Sequence, residues 1–392
     1  MALRVYVISK LLWNPEQPVW PIIREFLQGV CGPAAGGVET YLQAFHSRVR
    51  KERSLHPSLY DPPQHALFNA ATLAAAGKGL AAARRQAQTP HAKLYVDMLQ
   101  NGIDYARLWQ TSGVFRRRGN TYGGAATPAD YKRLQAMLKT WKQAGVLRLQ
   151  EAQPFDQSLL KLSHRLTPYK IEWLCEGNQR IAVVPELGGR LVEWHAAGQQ
   201  WLMPNEGYQE LVDDMHQSEL GGLEPYRIIR RSTRALMLEA EFSGNVRMRR
   251  RYALARGGLT ITSTLRNLGP RTRRPQWRLR LHLQPARRLL AGAGIAFRAL
   301  DGSMVELPWA EMPDGLGKAH VFEEQNRPAG ELRLAFANGI SWTWRFDAQA
   351  VSKVVAGRVA AARRLGLDLR IYACDVAPGA SLTVTQRLIT KG

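Results

Sequence analysis

The sequence predicts an α+β chain, with an N-terminal helical domain followed by a large antiparallel β-sandwich. Three observations carry this. At 392 residues the chain exceeds what one ordinary core encloses, so two domains are expected. Up to about residue 150, apolar residues recur at helical spacing. From Tyr169 onward they alternate in short runs broken by Gly, Asn and Pro, the pattern of half-buried strands. The expected organisation is a helical domain over 1–153, a linker over 154–168 and a sandwich over 169–392.

Hydrophobic residues make up 45% and charged residues 22%, the proportions of a soluble globular protein. No apolar run approaches the ~20 residues that span a bilayer, so a membrane is not an expected partner. The N-terminal run MALRVYVISKLLWNP carries Arg4 and Lys10 and lacks a small-residue cleavage site. It does not read as a signal peptide, and a cytoplasmic location is expected for this chain. Cys31, Cys175 and Cys374 are far apart and odd in number, which argues against a disulfide framework or a zinc site and for buried free thiols. Net charge is +22, but roughly half the excess falls before residue 164 and half after it. A dedicated nucleic-acid binder concentrates its charge among aromatics. Here the runs are Arg116-Arg117-Arg118, Arg247 to Arg251 and Arg271 to Arg274, so nucleic acid is not an expected partner.

Leu3 to Trp13 has helical spacing and stops at Asn14-Pro15, since Pro excludes helix from the residue before it. Pro18 to Val30 places Ile22, Ile23, Phe26, Leu27 and Val30 on one stripe and ends at Gly32-Pro33. Ala34 to about Lys51 buries Val38, Tyr41, Leu42 and Phe45, with His46 at the surface. Residues 66–88 are Ala-rich and helical, with Gly77 and Gly79 expected to weaken or bend the middle. Thr89 caps the next helix, with Pro90 at its first position. Arg116 to Ala126 reads as a basic, Gly-rich loop. Thr127-Pro128-Ala129-Asp130 has the form of a capping box and opens the last helix. None of these segments carries a phosphate loop, a nucleophile elbow or a metal-spaced His pair, and no cofactor or metal is expected.

The run YVISKLLWNPEQPVWPIIREFLQGVCGPAAGGVETYL resembles the helical segment after the catalytic barrel in a family of bacterial glycoside-hydrolase-like proteins related to α-glucuronidases. LLWNP, EFLQG and CGPAAGGVETYL carry the resemblance. It implies that the barrel and its carboxylates lie upstream of this motif. A (β/α)₈ barrel needs roughly 250 residues. The chain is therefore expected to be inactive in glycoside hydrolysis, with a separate catalytic barrel chain as a partner.

In the second half, Lys170 to Cys175 and Gln179 to Val184 form a hairpin around Glu176-Gly177-Asn178. The stretch Ile181 to Pro204 then reads as a meander: a strand, a Gly188-Gly189 corner, the strand Arg190 to Trp194, and a short Trp201-Leu202-Met203-Pro204 segment. Strands follow over Ala235 to Phe242, Val246 to Leu254, Leu259 to Asn267, Arg278 to Leu283, Arg333 to Phe336 and Ile340 to Phe346. Asp368 to Ala373 is expected to pair with Ser381 to Leu388 around Ala377-Pro378-Gly379-Ala380.

The Gly-Gly-Arg strand pair, LTITSTLRN and the Pro-Gly turn before the last strand resemble the galactose-mutarotase-like β-supersandwich, a carbohydrate-binding fold. The resemblance implies an acid–base pair of Glu and His around a sugar. The His motif is matched by Arg280-Leu281-His282-Leu283-Gln284-Pro285, with its Pro displaced and its aromatic missing. The place of the base offers Asp375, with Asp368 on the strand before it, so the pair is broken or rearranged.

The expected role is a non-catalytic, carbohydrate-recognising or structural portion of a glycoside-hydrolase-like protein. The alternatives are an aldose-1-epimerase-like enzyme using His282 and Glu224, and a basic nucleic-acid-binding protein. Carbohydrate is expected to bind a groove formed by Trp201, Glu224, Arg227 and His282, which offer an apolar ring, donors and acceptors. Trp194 and Trp277 are further stacking candidates. Glu219 with Glu224 could act as paired carboxylates, and Asp213-Asp214 with His216 could hold a metal, although acidic loop clusters are ordinarily solvated.

Overall fold

The computed structural model of the chain describes residues 2–57, 65–111, 116–124, 126–146, 148–150, 153–154, 166–202, 208–213, 219–220, 224–242, 245–270, 272, 276–283, 289, 292–312, 320–336, 339–361, 364–373 and 375–391; side chains are described for these except at 111, 116, 148–150, 153–154, 208–213, 219–220, 276–280, 282, 358–361 and 364–373. Two units separate: Met1–Gly113 with Ala125–Leu166, and Val114–Gly124 with Thr167–Gly392. The expected linker over 154–168 falls largely outside the described residues.

The first unit is built from helices α1 (Ala2–Trp13), α2 (Val19–Cys31), α3 (Ala35–Lys51), α4 (Ala70–Gln86), α5 (Pro90–Thr111) and α6 (Pro128–Gln143). The local signals act as expected. Thr127 and Asp130 form the reciprocal capping box of α6, and the Thr89 hydroxyl accepts from the Ala92 amide at 3.1 Å. Ile23, Leu27, Val38, Leu73, Leu80, Val96 and Ile103 make the core. Gly79 does not weaken α4. A Cβ there would meet the Gly37 carbonyl oxygen at 2.7 Å, and one on Gly37 would meet the Gly79 oxygen at 2.6 Å. The two glycines are where α3 and α4 cross backbone to backbone. Cys31 is buried in this core, and burial pushes its thiol up to about 11. Cys175, by contrast, is exposed, and Cys374 lies outside the described residues.

Residues 116–126, expected as a loop, contain a hairpin of β1 (Arg116–Arg118) and β2 (Thr121–Gly123). It belongs to the second unit because β2 pairs with β5 (Pro168–Lys170), far along the sequence. Gly123 sits where a Cβ would lie 2.2 Å from the Thr167 oxygen. Between them in sequence, β3 (Arg148–Gln150) pairs with β4 (Gln153–Pro154).

The rest of the second unit is two antiparallel sheets. Its strands are β6 (Glu172–Glu176), β7 (Gln179–Val184), β8 (Arg190–Ala196), β9 (Gln199–Gln200), β10 (Tyr208–Asp213), β11 (Glu219–Leu220), β12 (Arg227–Arg231), β13 (Ala235–Phe242), β14 (Val246–Ala255), β15 (Gly258–Asn267) and β16 (Gln276–Leu283). There follow β17 (Gly294–Arg298), β18 (Met304–Pro308), β19 (His320–Glu323), β20 (Glu331–Ala335), β21 (Ser341–Phe346), β22 (Val351–Ala361), β23 (Arg364–Ala373) and β24 (Ser381–Lys391). One sheet of ten strands runs β19-β22-β23-β16-β10-β8-β7-β6, with β9 on β8 and β11 on β10. The other, of nine, runs β12-β13-β14-β15-β24-β21-β20-β17-β18.

The shared core comes from strand alternation, interrupted on β8 by a bulge at Val192 that lets both Leu191 and Trp194 face inward. Leu236, Leu238 and Phe242 on β13, and Leu259, Ile261 and Leu265 on β15, face Ile181, Leu191, Trp194 and Leu281 of the other sheet. Each such side chain contributes about 1.5–3 kcal/mol by leaving water, which is why these segments are legible as strands in the sequence. One pairing differs from expectation. Asp368 to Ala373 lies in β23, between β22 and β16, whereas β24 pairs with β15 and β21. The Pro378-Gly379 turn carries the chain from one sheet to the other. Both segments have strand periodicity, and periodicity does not say which neighbour a strand will find.

Candidate functional site

Two polar constellations stand out in the second unit, and the Gly188-Gly189 corner organises the first. Both glycines are left-handed, at φ 65 and 58, the region that L side chains avoid. Gly188 donates its amide to the Glu224 carbonyl at 3.1 Å, and Gly189 to the Pro185 carbonyl at 3.0 Å. From the opposite sheet, Arg250 reaches in fully buried. Its Nη1 donates to the Gly188 oxygen at 2.9 Å and the Gly189 oxygen at 3.0 Å, and its Nη2 donates to the Tyr226 hydroxyl at 3.0 Å. The guanidinium carbon lies 4.9 Å from the Tyr226 ring centre. Tyr252 adds a hydroxyl bond to the Gly189 oxygen at 2.8 Å. This corner is a structural lock, since its polar groups face each other inside the sandwich.

The second constellation lies on the ten-stranded sheet, on the face turned away from the shared core. Strand alternation sends Ile181 and Trp194 inward and so leaves Trp173, Arg180, Glu193 and His195 on the other face. Glu193 accepts from Arg117 Nε of the β1–β2 hairpin at 2.9 Å and lies 2.9 Å from His195 Nε2. Trp173 carries the Arg117 guanidinium at 5.8 Å and the Arg180 guanidinium at 5.4 Å from its ring centre. Its indole donates to Asn120 Oδ1 at 3.2 Å. The Glu193 and His195 side chains are 14% and 27% exposed, so both stay reachable from solvent. A carboxylate, an imidazole, an amide, two guanidiniums and a partly exposed indole therefore share one patch. Sequence reasoning missed it; the alternation Glu193-Trp194-His195 was its signal, but the bulge at Val192 that sets its face was not legible.

Trp201 is not brought into a groove with Glu224 and Arg227. Trp201 is fully buried between the sheets, with its ring 4.4 Å from Trp342 and 5.2 Å from Phe336 and its indole bonded to the Ala196 carbonyl at 2.8 Å. Neither face is open to a sugar. Trp194 is likewise core. The physical reason is area: an indole buries about 150–250 Å² and gains most between two sheets. Arg227 belongs to the edge strand of the nine-stranded sheet and pairs with Glu239 on that sheet's outer surface. Glu224 is half-buried beside the Gly188-Gly189 corner.

His282 takes the register position opposite Asp368 in the middle of the ten-stranded sheet; its side chain, and that of Trp277, lie outside the described part. Glu219 stands opposite Asp213 in the β10–β11 pair. Asp214 and His216 lie outside the described residues, and Asp375 is exposed. Among the described residues no cluster of three or more His, Cys, Asp or Glu is placed to hold a metal. No helix among them is long and apolar enough to cross a membrane.

No protein-family model and no curated protein sequence matches the chain. Solved structures do resemble a little over half of it. A galactose mutarotase-like protein from Lactobacillus casei aligns over 56% of this chain and 100% of its own, at 10% identity and a TM-score of 0.46. A galactose mutarotase related enzyme from Lactobacillus acidophilus covers 57% and 97%, at 9% identity and 0.45. An aldose epimerase homologue from C. elegans covers 57% and 99%, at 9% identity and 0.39.

Proposed function

We propose that the second unit is a carbohydrate-recognising module without hydrolytic activity, and that it binds sugar on the outer face of the ten-stranded sheet. The observation that carries this reading is the patch of Trp173, Asn120, Arg180, Glu193 and His195, which pairs a ring with donors and acceptors. The Gly-Gly-Arg and Pro-Gly motifs of the carbohydrate-binding supersandwich support it. Glu193 and His195 touch each other at 2.9 Å, so no pyranose fits between them as between a general acid and a general base. Each sugar hydroxyl exchanges a water bond for a protein bond, with a net gain of only ~0.5–1.5 kcal/mol. Affinity for a monosaccharide is therefore about millimolar, near −4 kcal/mol.

NMR titration with galactose, glucose, xylose and glucuronate tests the reading. Resonances of Trp173 and His195 should move, and Trp173→Ala should abolish the effect. Silence from all four sugars at tens of millimolar would refute it.

In the same reading the first unit is the post-barrel segment of a glycoside-hydrolase-like protein. Its α1 buries no residue and exposes Val5, Ile8, Leu12 and Trp13, an apolar stripe suited to a separate catalytic barrel chain.

A second reading, an aldose epimerase, is favoured by one observation. His282 and Asp368 are cross-strand neighbours in the centre of the same sheet, two strands from β8. Residues so paired have Cα atoms about 4.5–5.5 Å apart. Anomer interconversion by the wild type that is lost in His282→Gln would establish it in place of the first.

A further inference from the structure

The outer face of the nine-stranded sheet carries a different chemistry from the patch above. Alternation along β13, β14, β15 and β24 turns Leu236, Tyr252, Ile261 and Val384 inward and leaves rows of Arg and Thr facing solvent. Register aligns the rows: Arg247 with Arg266 and Ser381, Arg249 with Thr264 and Thr383, and Arg251 with Thr262 and Thr385. Arg387 continues into Arg345 on the next strand.

Three acids on this face are already engaged. Glu239 is held by Arg227 and Arg249 and is only 2% exposed, Glu241 pairs with Arg247, and Glu331 accepts from Arg345 at 2.8 Å. Among the described residues no acid pairs with Arg230, Arg251, Arg266 or Arg387, and all four are exposed. Where β12, β13 and β14 meet, Arg230, Arg231, Ser232, Ala235, Met237 and Arg251 enclose a cleft of about 340 Å³. That is near the lower end of ligand-sized pockets.

A guanidinium never loses its charge at physiological pH and presents a planar fork to carboxylates. Neighbours two apart on a strand are about 6.8 Å apart, and neighbours across strands about 4.8 Å. The result is a two-dimensional array of permanent cations with Thr hydroxyls between them; Thr264 and Thr383 bond to each other at 2.9 Å.

We propose that this face binds a linear anionic polysaccharide, a chain of uronate sugars, with one carboxylate seated in the cleft beside Arg230 and Arg251, Arg231 on its wall being held by Glu172. The inference stands apart from the proposed function, since it uses the other sheet. Charge complementarity selects a polyanion. The rows contain no aromatic ring, so they lack the stacking platform of single-strand nucleic-acid binders. They also offer no helix or ribbon to enter the major groove of a duplex. A hydroxyl-rich chain with regularly spaced carboxylates matches both the Thr and the Arg.

The test is affinity electrophoresis and titration with polygalacturonate, neutral amylose and a random DNA duplex, at ~50 and ~150 mM salt. The wild type should bind polygalacturonate with a salt-dependent affinity. The triple variant R251Q/R266Q/R387Q should bind it about tenfold more weakly or worse while keeping the wild-type melting temperature. A control that removes the same charge from the helical unit, R50Q/K51Q/R53Q, should leave the affinity unchanged. Equal losses in both triples would show only bulk charge and overturn the proposal. So would a duplex bound as tightly as polygalacturonate and weakened by the same variant, which would make the face a nucleic-acid surface. If the first triple melts early, Arg387→Gln alone, on a different strand from the other two, must still weaken polygalacturonate binding measurably for the proposal to stand.

Discussion

The buried guanidinium of Arg250 donates from Nη1 to the carbonyl oxygen of Gly189 at 3.0 Å, joining the two sheets at the turn between β7 and β8. The same nitrogen takes the Gly188 oxygen at 2.9 Å. A carbonyl buried without a donor costs about 1–3 kcal/mol; Arg250 supplies a donor to both corner carbonyls, and the Tyr252 hydroxyl shares the Gly189 oxygen at 2.8 Å.

Replacing Arg250 with Met, of similar length but without donors, should therefore destabilise the second unit by about 2–4 kcal/mol. Urea unfolding followed by Trp fluorescence measures it. A change below about 0.5 kcal/mol would mean that other groups carry the corner.

The α3–α4 crossing gives a paired test. Gly37→Ala drives a Cβ to 2.5 Å from the Ala83 nitrogen, whereas at Gly36 a Cβ meets nothing within 4 Å. The first should cost about 1–3 kcal/mol or more, and the second should be neutral or slightly stabilising. Similar melting temperatures for the two variants would remove the close approach as the reason for glycine.

Two tryptophans separate core from site. Trp201→Ala should cost about 3–5 kcal/mol, because it empties a site in the shared core. Trp173→Ala should cost about 1 kcal/mol and remove the sugar response. A sugar response that survives Trp173→Ala and vanishes in folded Trp201→Phe would reverse the assignment.

Glu239 supplies a pH dependence. Hydrogen bonds from Arg227 and then Arg249 hold its carboxyl below the ordinary 4.5. A depressed folded-state value adds stability above the unfolded value, and that stability is lost as the pH falls through the folded value. Glu239→Gln should therefore be less stable than the wild type at pH 7, and the gap should narrow below about pH 4.5. Chemical unfolding across pH 7 to about 3 checks this, and a gap independent of pH would rule out the ion pairs as its source.

The signals that were legible in the sequence are local ones. The Thr127–Asp130 capping box, the Pro90 helix start and the strands Ala235–Phe242 and Val246–Ala255 each follow from a few neighbouring residues. Backbone geometry and side-chain period act within one turn or one strand, and nothing distant has to be known. The Gly188-Gly189 corner belongs with them, because two left-handed residues in a row call for glycine.

Tertiary structure decided the rest. Composition alone makes Trp201 as good a stacking ring as Trp173; burial between Trp342 and Phe336 makes it core. The run Arg247 to Arg251 reads as one basic patch, yet the pleat turns Arg250 into the interior while Arg249 and Arg251 stay in solvent. Asp368 to Ala373 and Ser381 to Leu388 look like a hairpin and belong to different sheets. Gly79 looks like a helix defect until Gly37 is set against it. In each case the deciding partner lies far away in the chain. A residue's own period says which face it takes, and only the folded chain says what that face meets.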